Sequence, residues 1–375
     1  MKINGNKEDI VIIGGGLGGL TAAILLAKNG RSVLLIEKKS YPFHRVCGEY
    51  ISNEVKDFLQ KEELFPAELR PTEVSRFKIT SPSGRTVEMP LDLGGFGISR
   101  YAFDDYLYKK AKAVGVKFSL QEQVLETVFI QEKNHFQLEL KSGETLYANH
   151  VIGAFGKRST MDRTLNREFI QKRSPYIGVK YHIRGDFEPD SIAIHGYPGG
   201  YCGLNPIEDG LFNLCYLGSR QQLRDCGSIQ KMEERFLYKN RHLKKLFTEG
   251  EFVRNKPEVI NEINFEPKLP IENHLLMVGD AAGLIAPIFG NGMAIAIHSG
   301  KLAAEALLQN TSRKAIEGQY EQNWHRTFKK RLVMGRLAQK LFNVPQLAEL
   351  TTALMHRSPF LGKQIMKRTH GKSFD

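Results

Sequence analysis

Ile10-Val11-Ile12-Ile13-Gly14-Gly15-Gly16-Leu17-Gly18-Gly19-Leu20-Thr21-Ala22-Ala23-Ile24-Leu25-Leu26-Ala27 is the stretch that decides the fold. Four consecutive apolar, mostly β-branched residues describe a strand buried on both faces. Glycines at 14, 16 and 19 fit the spacing G-x-G-x-x-G. The Ala- and Leu-rich run from Thr21 predicts a helix that stops at Asn29-Gly30. A second apolar strand, Ser32-Val33-Leu34-Leu35-Ile36, follows and ends in Glu37. Strand, glycine turn, helix, strand and acid in this order are the parts of a dinucleotide-binding βαβ unit. Gly14 permits the tight turn, Gly16 lets the backbone approach a pyrophosphate, and Gly19 lets helix and strand pack closely. The helix N-terminus offers N–H groups and the positive end of its dipole to the phosphates. Glu37, 23 residues beyond Gly14, is placed to accept hydrogen bonds from a ribose hydroxyl pair and to disfavour a 2′-phosphate.

The rest of the chain bounds what surrounds this unit. Its 375 residues predict two domains, or one with large insertions. A 41% hydrophobic and 25% charged composition excludes a disordered chain. No apolar run reaches the length of a membrane span, and the polar stretch Met1 to Asp9 lacks a signal-peptide layout, so a cytoplasmic location is expected. Four cysteines (Cys47, Cys202, Cys215 and Cys226) without a CxxC pair predict reduced thiols and no metal site. The formal charge is +12, and from Gln322 to Asp375 eleven Lys and Arg face only Glu349 and Asp375. That basic, helical-looking tail reads either as a solvated helix face or as a peripheral contact with an acidic membrane surface. No nucleic-acid motif is present, and the lone Trp324 is not a stacking platform, so nucleic acid is not an expected partner. The oligomeric state is not legible.

A second signal lies near the other end. Leu275-Leu276-Met277-Val278-Gly279-Asp280 is an apolar strand ending in Gly-Asp, and Pro287, Gly290, Asn291 and Gly292 lead into a helix from Met293 to about Leu308. Between the two signals stands Arg100-Tyr101-Ala102-Phe103-Asp104. With these three segments the chain, from about residue 8 to 310, resembles the flavoprotein hydroxylase superfamily: para-hydroxybenzoate-hydroxylase-like monooxygenases, geranylgeranyl reductases and flavin-dependent halogenases. The resemblance implies bound FAD. It places Asp280 on the ribityl hydroxyls and the N–H groups near Gly292 and Met293 at the flavin N1–C2=O edge. Gly279, Pro287 and Gly290 belong to the same cofactor loop, and Arg100 approaches the phosphates. The alternatives on the residues alone are a helix cap for Asp280 and a surface pair with Asp104 for Arg100. Val151-Ile152-Gly153-Ala154-Phe155-Gly156-Lys157-Arg158-Ser159 departs from the family's G-A-D-G-x-x-S, with Phe155 in place of the Asp. Gly156 and Ser159 keep the loop shape, and NAD(P)H as external electron donor stays open.

Two further segments bear on the branch. His44-Arg45-Val46-Cys47-Gly48-Glu49 resembles geranylgeranyl reductases, whose Cys-Gly pair lies near the flavin. By that likeness Cys47 tunes the ring or relays a proton, Gly48 lies beside it, and Lys38 and Arg45 join the cofactor-binding set; an inert buried thiol is the alternative for Cys47. His44 and Glu49, flanking this loop, could act as acid or base. Pro198-Gly199-Gly200-Tyr201-Cys202-Gly203-Leu204-Asn205-Pro206 resembles the reductases' P-x-x-Y-x-W-x-F-P, with Gly203 for Trp and Asn205 for Phe. The resemblance puts Tyr201 on the cavity wall against the flavin as a catalytic candidate beside Cys47, and the two replacements imply a larger, more polar pocket. The halogenases' W-x-W-x-I-P is missing, and Lys78, alternating with Phe77 and Ile79, reads as an outward strand residue.

Together these readings give an α/β fold. A Rossmann-like, doubly wound FAD-binding domain is built from 8–72, 98–165 and 270–310. A β-rich, antiparallel substrate domain comes from 73–97 and 171–268, and a basic helical segment spans 311–375. The expected function is an FAD-dependent oxidoreductase acting on a hydrophobic, polyketide- or isoprenoid-like small molecule. The alternatives are an NAD(P)H-linked monooxygenase on an aromatic or polyketide substrate, a flavin-dependent halogenase, or a flavin-binding subunit without catalysis.

Overall fold

The structure, a computed structural model, describes residues 7–261, 263–284, 290–342, 344–358, 362 and 371–375. Lys7–Ile13 and Val33–Glu37 pair in parallel, Ile10 beside Val33 and Ile13 beside Ile36, with the helix Leu17–Lys28 as their crossover. Ile10, Val11 and Ile12 are fully buried, as a strand covered on both faces must be. Thr145–Gly153 lies parallel on the other side, and Leu275–Met277 lies parallel beyond it. The sheet runs Ile271–Glu272, Leu275–Met277, Thr145–Gly153, Lys7–Ile13, Val33–Glu37, Lys117–Leu120, and a hairpin of Val124–Ile130 and His135–Leu140 extends from Thr145–Gly153.

Helix Leu17–Lys28 packs against the late helix Gly292–Gln309. Their approach is close: a Cβ on Gly300 would lie 2.3 Å from the Gly18 carbonyl oxygen. Arg100–Ala113 is capped by the Ser99 hydroxyl, which accepts from the Ala102 N–H, and it packs beside Leu17–Lys28.

The second sheet has nine strands. Its order is Glu251–Phe252, Tyr176–Arg184, Phe212–Ser219, Gly200–Pro206, Ser191–Tyr197, Thr72–Thr80, Thr86–Gly97 and Tyr50–Ser52, with Glu258–Asn261 also paired to Tyr176–Arg184. All pairs are antiparallel except Ser191–Tyr197 with Thr72–Thr80. The stretch 171–268 is not β alone. Arg220–Cys226, Ile229–Phe236 and Arg241–Glu249 are helices. They cover one sheet face by setting Met232, Leu243, Leu246 and Phe247 on Val179, Leu204, Leu214 and Tyr216. Their sequences carry the helical period (Ile229, Met232, Phe236; Leu243, Leu246, Phe247), and Ser228 and Asn240 cap them by accepting from Lys231 and His242 N–H.

Two helices, Arg313–Phe342 and Pro345–Arg357, end the fold. The first buries Tyr320, Trp324 and Phe328 in the core of the parallel sheet. Gly371 to Asp375 returns to the nucleotide-binding half, where Phe374 stacks on His298 at 3.6 Å. Among the described residues no helix is long and apolar enough to cross a membrane.

Candidate functional site

Three loops leave the parallel sheet side by side. Ile13, Gly153 and Met277 end adjacent strands, so Gly14–Gly19, Ala154–Ser159 and Val278–Asp280 emerge at one carboxyl edge. Backbone hydrogen bonds lace them: Gly14 N to Ile36 O (2.8 Å), Ala154 N to Ile13 O (2.8 Å) and Val278 N to Gly153 O (3.0 Å). The carboxyl edge is where open α/β sheets bind ligands.

The three glycines of the spacing differ in their surroundings. Gly14 adopts φ +104°, and a Cβ there would lie 2.5 Å from the Ala154 carbonyl oxygen; one on Gly19 would lie 2.2 Å from the Gly14 carbonyl oxygen. A Cβ on Gly16 would meet the Arg100 guanidinium at 3.6 Å, an ordinary contact, so Gly16 is not crowded as Gly14 and Gly19 are. The helix that starts there has no side-chain cap and no acid in its first turn. Bare N–H groups and a positive dipole end fit a phosphate.

Beneath this loop runs a chain of ions. Arg100 grips the buried Asp104 through Nε (2.7 Å) and Nη2 (2.8 Å). Arg45 donates to Asp104 (3.0 Å) and to Glu37 (3.1 Å). Glu37 Oε2 also accepts from the Gly15 N–H at 2.9 Å, and Oε1 accepts from the Lys39 N–H at 3.2 Å. So Glu37 ties the second strand to the glycine turn while bordering a cavity of about 300 Å³, whose walls include Gly14, Lys38, Arg45, Phe155 and Arg158. Arg100 is both beside Gly16 and paired with Asp104, so its guanidinium is a neutralised group and not a free cation.

The late motif closes the other side. Gly279 has φ +59° and its N–H donates to the Ser299 hydroxyl (2.8 Å). The Asp280 carboxylate has no hydrogen-bond partner among the described residues. Lys268 Nζ, almost wholly buried, bridges the Asp280 carbonyl (2.8 Å) and the Lys157 carbonyl (2.9 Å). Burial, helped by Arg167 and Lys157, pushes its ammonium down to about 8. Gly290 (φ +66°) abuts Tyr50, and Gly292 and Met293 open the late helix with no side-chain cap. Gly156 (φ +83°) shapes the middle loop. Pro287 lies outside the described residues.

Cys47 and Gly48 sit where the two sheets meet. The Cys47 side chain reaches Arg100, and Asn213 Nδ2 donates to the carbonyls of Gly48 (2.8 Å) and Cys47 (3.3 Å). The next residue, Glu49, is fully buried in a left-handed conformation (φ +53°). Its carboxylate bonds the Lys180 ammonium, the His182 Nε2 (2.6 Å) and the Arg100 N–H (2.8 Å). Burial alone would raise this carboxyl, but Lys180 and His182 outweigh it and hold it below its ordinary range. Lys180 also donates to the Arg45 carbonyl (3.2 Å). His44 stacks on Tyr101 and meets His182 edge-on at 5.7 Å.

Lys180, His182 and Asn213 are the functional-site residues that sequence reasoning missed. The signal was there: Gly178, Lys180 and His182 alternate on one face of a strand, opposite Leu217, Cys215 and Asn213. The next strand continues the row with Tyr201, Gly203 and Asn205. Asn205 spends its amide on the carbonyls of Glu49 and Pro206 (3.2 Å each), so its polarity fixes the Cys47–Glu49 turn. Tyr201 lies in an apolar cluster with Tyr50, Ile192, Leu217 and Leu284. Lys78 pairs with Glu88 (2.9 Å) and Glu188 on its own sheet, away from this row.

Comparison with known proteins places this geometry. The family model for pyridine nucleotide-disulphide oxidoreductases matches residues 8–205. Digeranylgeranylglycerophospholipid reductase 2 of Methanopyrus kandleri is 26% identical over 363 residues, 91% of this chain and 88% of that protein. A flavin-dependent brominase superposes with a TM-score of 0.77 at 20% identity, over 99% of this chain and 95% of its own. A geranylgeranyl bacteriochlorophyll reductase-like protein of Thermoplasma acidophilum gives 0.74 at 23% identity, over 97% and 99%. At such identities these two structures speak for the fold.

Proposed function

The chain belongs to the pyridine nucleotide-disulphide oxidoreductase family, and from that footing we propose that it reduces carbon–carbon double bonds of a hydrophobic, isoprenoid-like molecule. It is an FAD-dependent oxidoreductase. The observation that carries the finer reading is the meeting of the Gly14–Gly19 turn, the Gly279–Asp280 turn and the Cys47–Gly48 loop at one edge, roofed by the second sheet. FAD, held there by Gly14, Gly16, Gly19, Glu37, Arg100, Gly156 and Asp280, would supply the hydride that an alkene accepts.

The chain's own residues supply the rest. The uncapped helix start at Gly16 would receive the pyrophosphate, and Asp280 would accept from the ribityl hydroxyls. Cys47 Sγ, beside the Arg100 guanidinium, would deliver the proton that the alkene takes up together with the hydride. The stripe Tyr201, Ile192 and Leu217 walls an apolar chain and keeps water from the reacting carbon. We also assign residues 8–72, 98–165 and 270–310 to the cofactor-binding unit, and 73–97 with 171–268 to its roof. Digeranylgeranylglycerophospholipid reductases, similar along most of the chain, support the isoprenoid class.

The test is anaerobic. The purified protein is reduced with dithionite, mixed with a geranylgeranyl lipid, and followed at the flavin absorbance. Substrate-dependent reoxidation, with product gaining two hydrogens per double bond, is the expected result. Reoxidation only when O₂ is admitted, with a hydroxylated product, would replace the reductase reading by the monooxygenase one. Parallel reduction with NADH and NADPH identifies the donor.

A further inference from the structure

Among the described residues thirteen large apolar side chains are exposed, and six of them fall between Val333 and Leu354. Val333 and Leu337 are four residues apart on the long helix. Leu347, Leu350 and Leu354 form a stripe at spacings of three and four on the helix Pro345–Arg357, with Val344 at its start. That short helix is already anchored through its other side. Ala348, Thr352 and Met355 are buried, and Glu349 accepts from the Ser83 N–H (2.6 Å) and hydroxyl (2.9 Å). The outward leucines therefore do no work in the fold. Exposed apolar side chains gathered in such stripes mark an interaction site.

The surrounding charge selects the partner. Arg326, Lys329, Lys330, His356 and Arg357 are exposed at the ends of the two stripes. Glu349 is spent on Ser83, and the only other acid after Glu321 is Asp375. Basic side chains flanking an outward apolar stripe match the headgroup and acyl layers of an anionic bilayer. We propose that the Val333–Leu337 and Leu347–Leu354 stripes dock the protein peripherally on an anionic lipid surface. As a route for lipid substrate to the site, this rests on the reading under Proposed function; as a docking surface it stands without it.

Flotation of the full-length protein with phosphatidylcholine vesicles, with and without 30% phosphatidylglycerol, tests it. Expected is binding to the anionic vesicles, falling at least about tenfold in the triple variant Leu347→Gln/Leu350→Gln/Leu354→Gln and in 0.5 M NaCl. Unchanged binding by the triple variant overturns the proposal. So does a dimer in sedimentation that the triple variant dissolves, since the stripe would then be a self-contact. Because the three leucines are exposed, Val128→Gln serves as a surface control that leaves vesicle binding intact. Turnover of a short, detergent-dispersed isoprenoid is measured alongside. Loss of vesicle binding with turnover retained supports docking. Vesicle binding without turnover of any isoprenoid leaves docking standing and sinks the substrate reading.

Discussion

Lys180→Met probes the ion pair under the Cys47 loop. Lys180 and Glu49 are each at most 2% exposed, so the substitution keeps the volume and strands a carboxylate away from water. Removing one partner of a buried pair costs about 3–5 kcal/mol. With an unfolding entropy of about 2.1 cal/mol/K per residue, each kcal/mol shifts the melting temperature of a 375-residue chain by about 1.3 °C, so a loss of about 4–6 °C is expected at pH 7.5. The pH dependence gives the sign. In the native protein the Glu49 carboxyl is held below its ordinary 4.5, so its contribution is full above that pH and is lost as pH falls through the lowered value. Without Lys180 burial dominates, the carboxyl rises, and protonation relieves the variant as pH drops toward 5. The gap between variant and parent therefore narrows in acid. Glu49→Gln/Lys180→Met should recover most of the loss at pH 7.5. Differential scanning calorimetry at both pH values decides. A single variant within 1 °C of the parent at pH 7.5, or a double variant no better than the single, refutes the pairing argument.

Asp280→Ala should weaken FAD binding about tenfold or more, since ribityl hydroxyls lose a charged acceptor; a preparation as yellow as the parent at equal protein concentration removes Asp280 from the site. Gly19→Ala forces a methyl group to within 2.2 Å of the Gly14 carbonyl oxygen and should cost about 1–3 kcal/mol and most of the bound FAD, whereas Gly143→Ala, open on its side-chain face, should cost about 1 kcal/mol and leave the flavin in place. The Glu233 carboxyl, accepting from Tyr181 (2.9 Å) and Tyr216 (2.8 Å), is pushed up to about 7 by burial, so its stabilisation is full below 4.5 and lost as pH rises through 7; Glu233→Gln should then raise the melting temperature by about 4 °C at pH 8.5 and leave it unchanged at pH 4.5, and a shift of equal size at both would contradict this. FAD affinity, measured by flavin fluorescence, should change less than about threefold between 50 and 500 mM NaCl, because the arginines under the glycine loop are already neutralised; a steep salt dependence would show free cations at the phosphates.

Contiguity explains what was legible in the sequence. From Ile10 to Glu37 each part of the βαβ unit touches the next in sequence, so period, glycine spacing and terminal acid suffice. The Gly279–Asp280 turn was legible for the same reason, as a strand, turn and helix in one run. What escaped was held by partners far apart in the chain. Lys180 and His182 meet Glu49 across 131 and 133 residues, and Arg45 meets Asp104 across 59. Nothing local distinguishes such a lysine from a solvated one until the sheet register is known. The helices Ile229–Phe236 and Arg241–Glu249 carry a clear period, but strand signals on both sides masked them.

The +12 charge acquires a physical meaning once its location is known. Around the nucleotide loop Arg100 and Arg45 face Asp104 and Glu37, two charges against two, all tied by hydrogen bonds. In the proposed function such a set orients the turn, and backbone N–H groups and the helix dipole, which are fixed and cost no rearrangement on binding, would meet the phosphates beside Arg100. Lys180 and Glu49 cancel in the same way under the Cys47 loop. Beyond Glu321 the sequence carries eleven bases against two acids, and of these Arg326, Lys329, Lys330 and Arg357 are exposed on the two helices that also expose the leucine stripe. A protein needing its excess charge for an anionic cofactor would leave that charge free beside the phosphates. Here part of the excess lies on the outside of these two helices, next to apolar side chains, the arrangement from which docking on an anionic lipid surface is proposed.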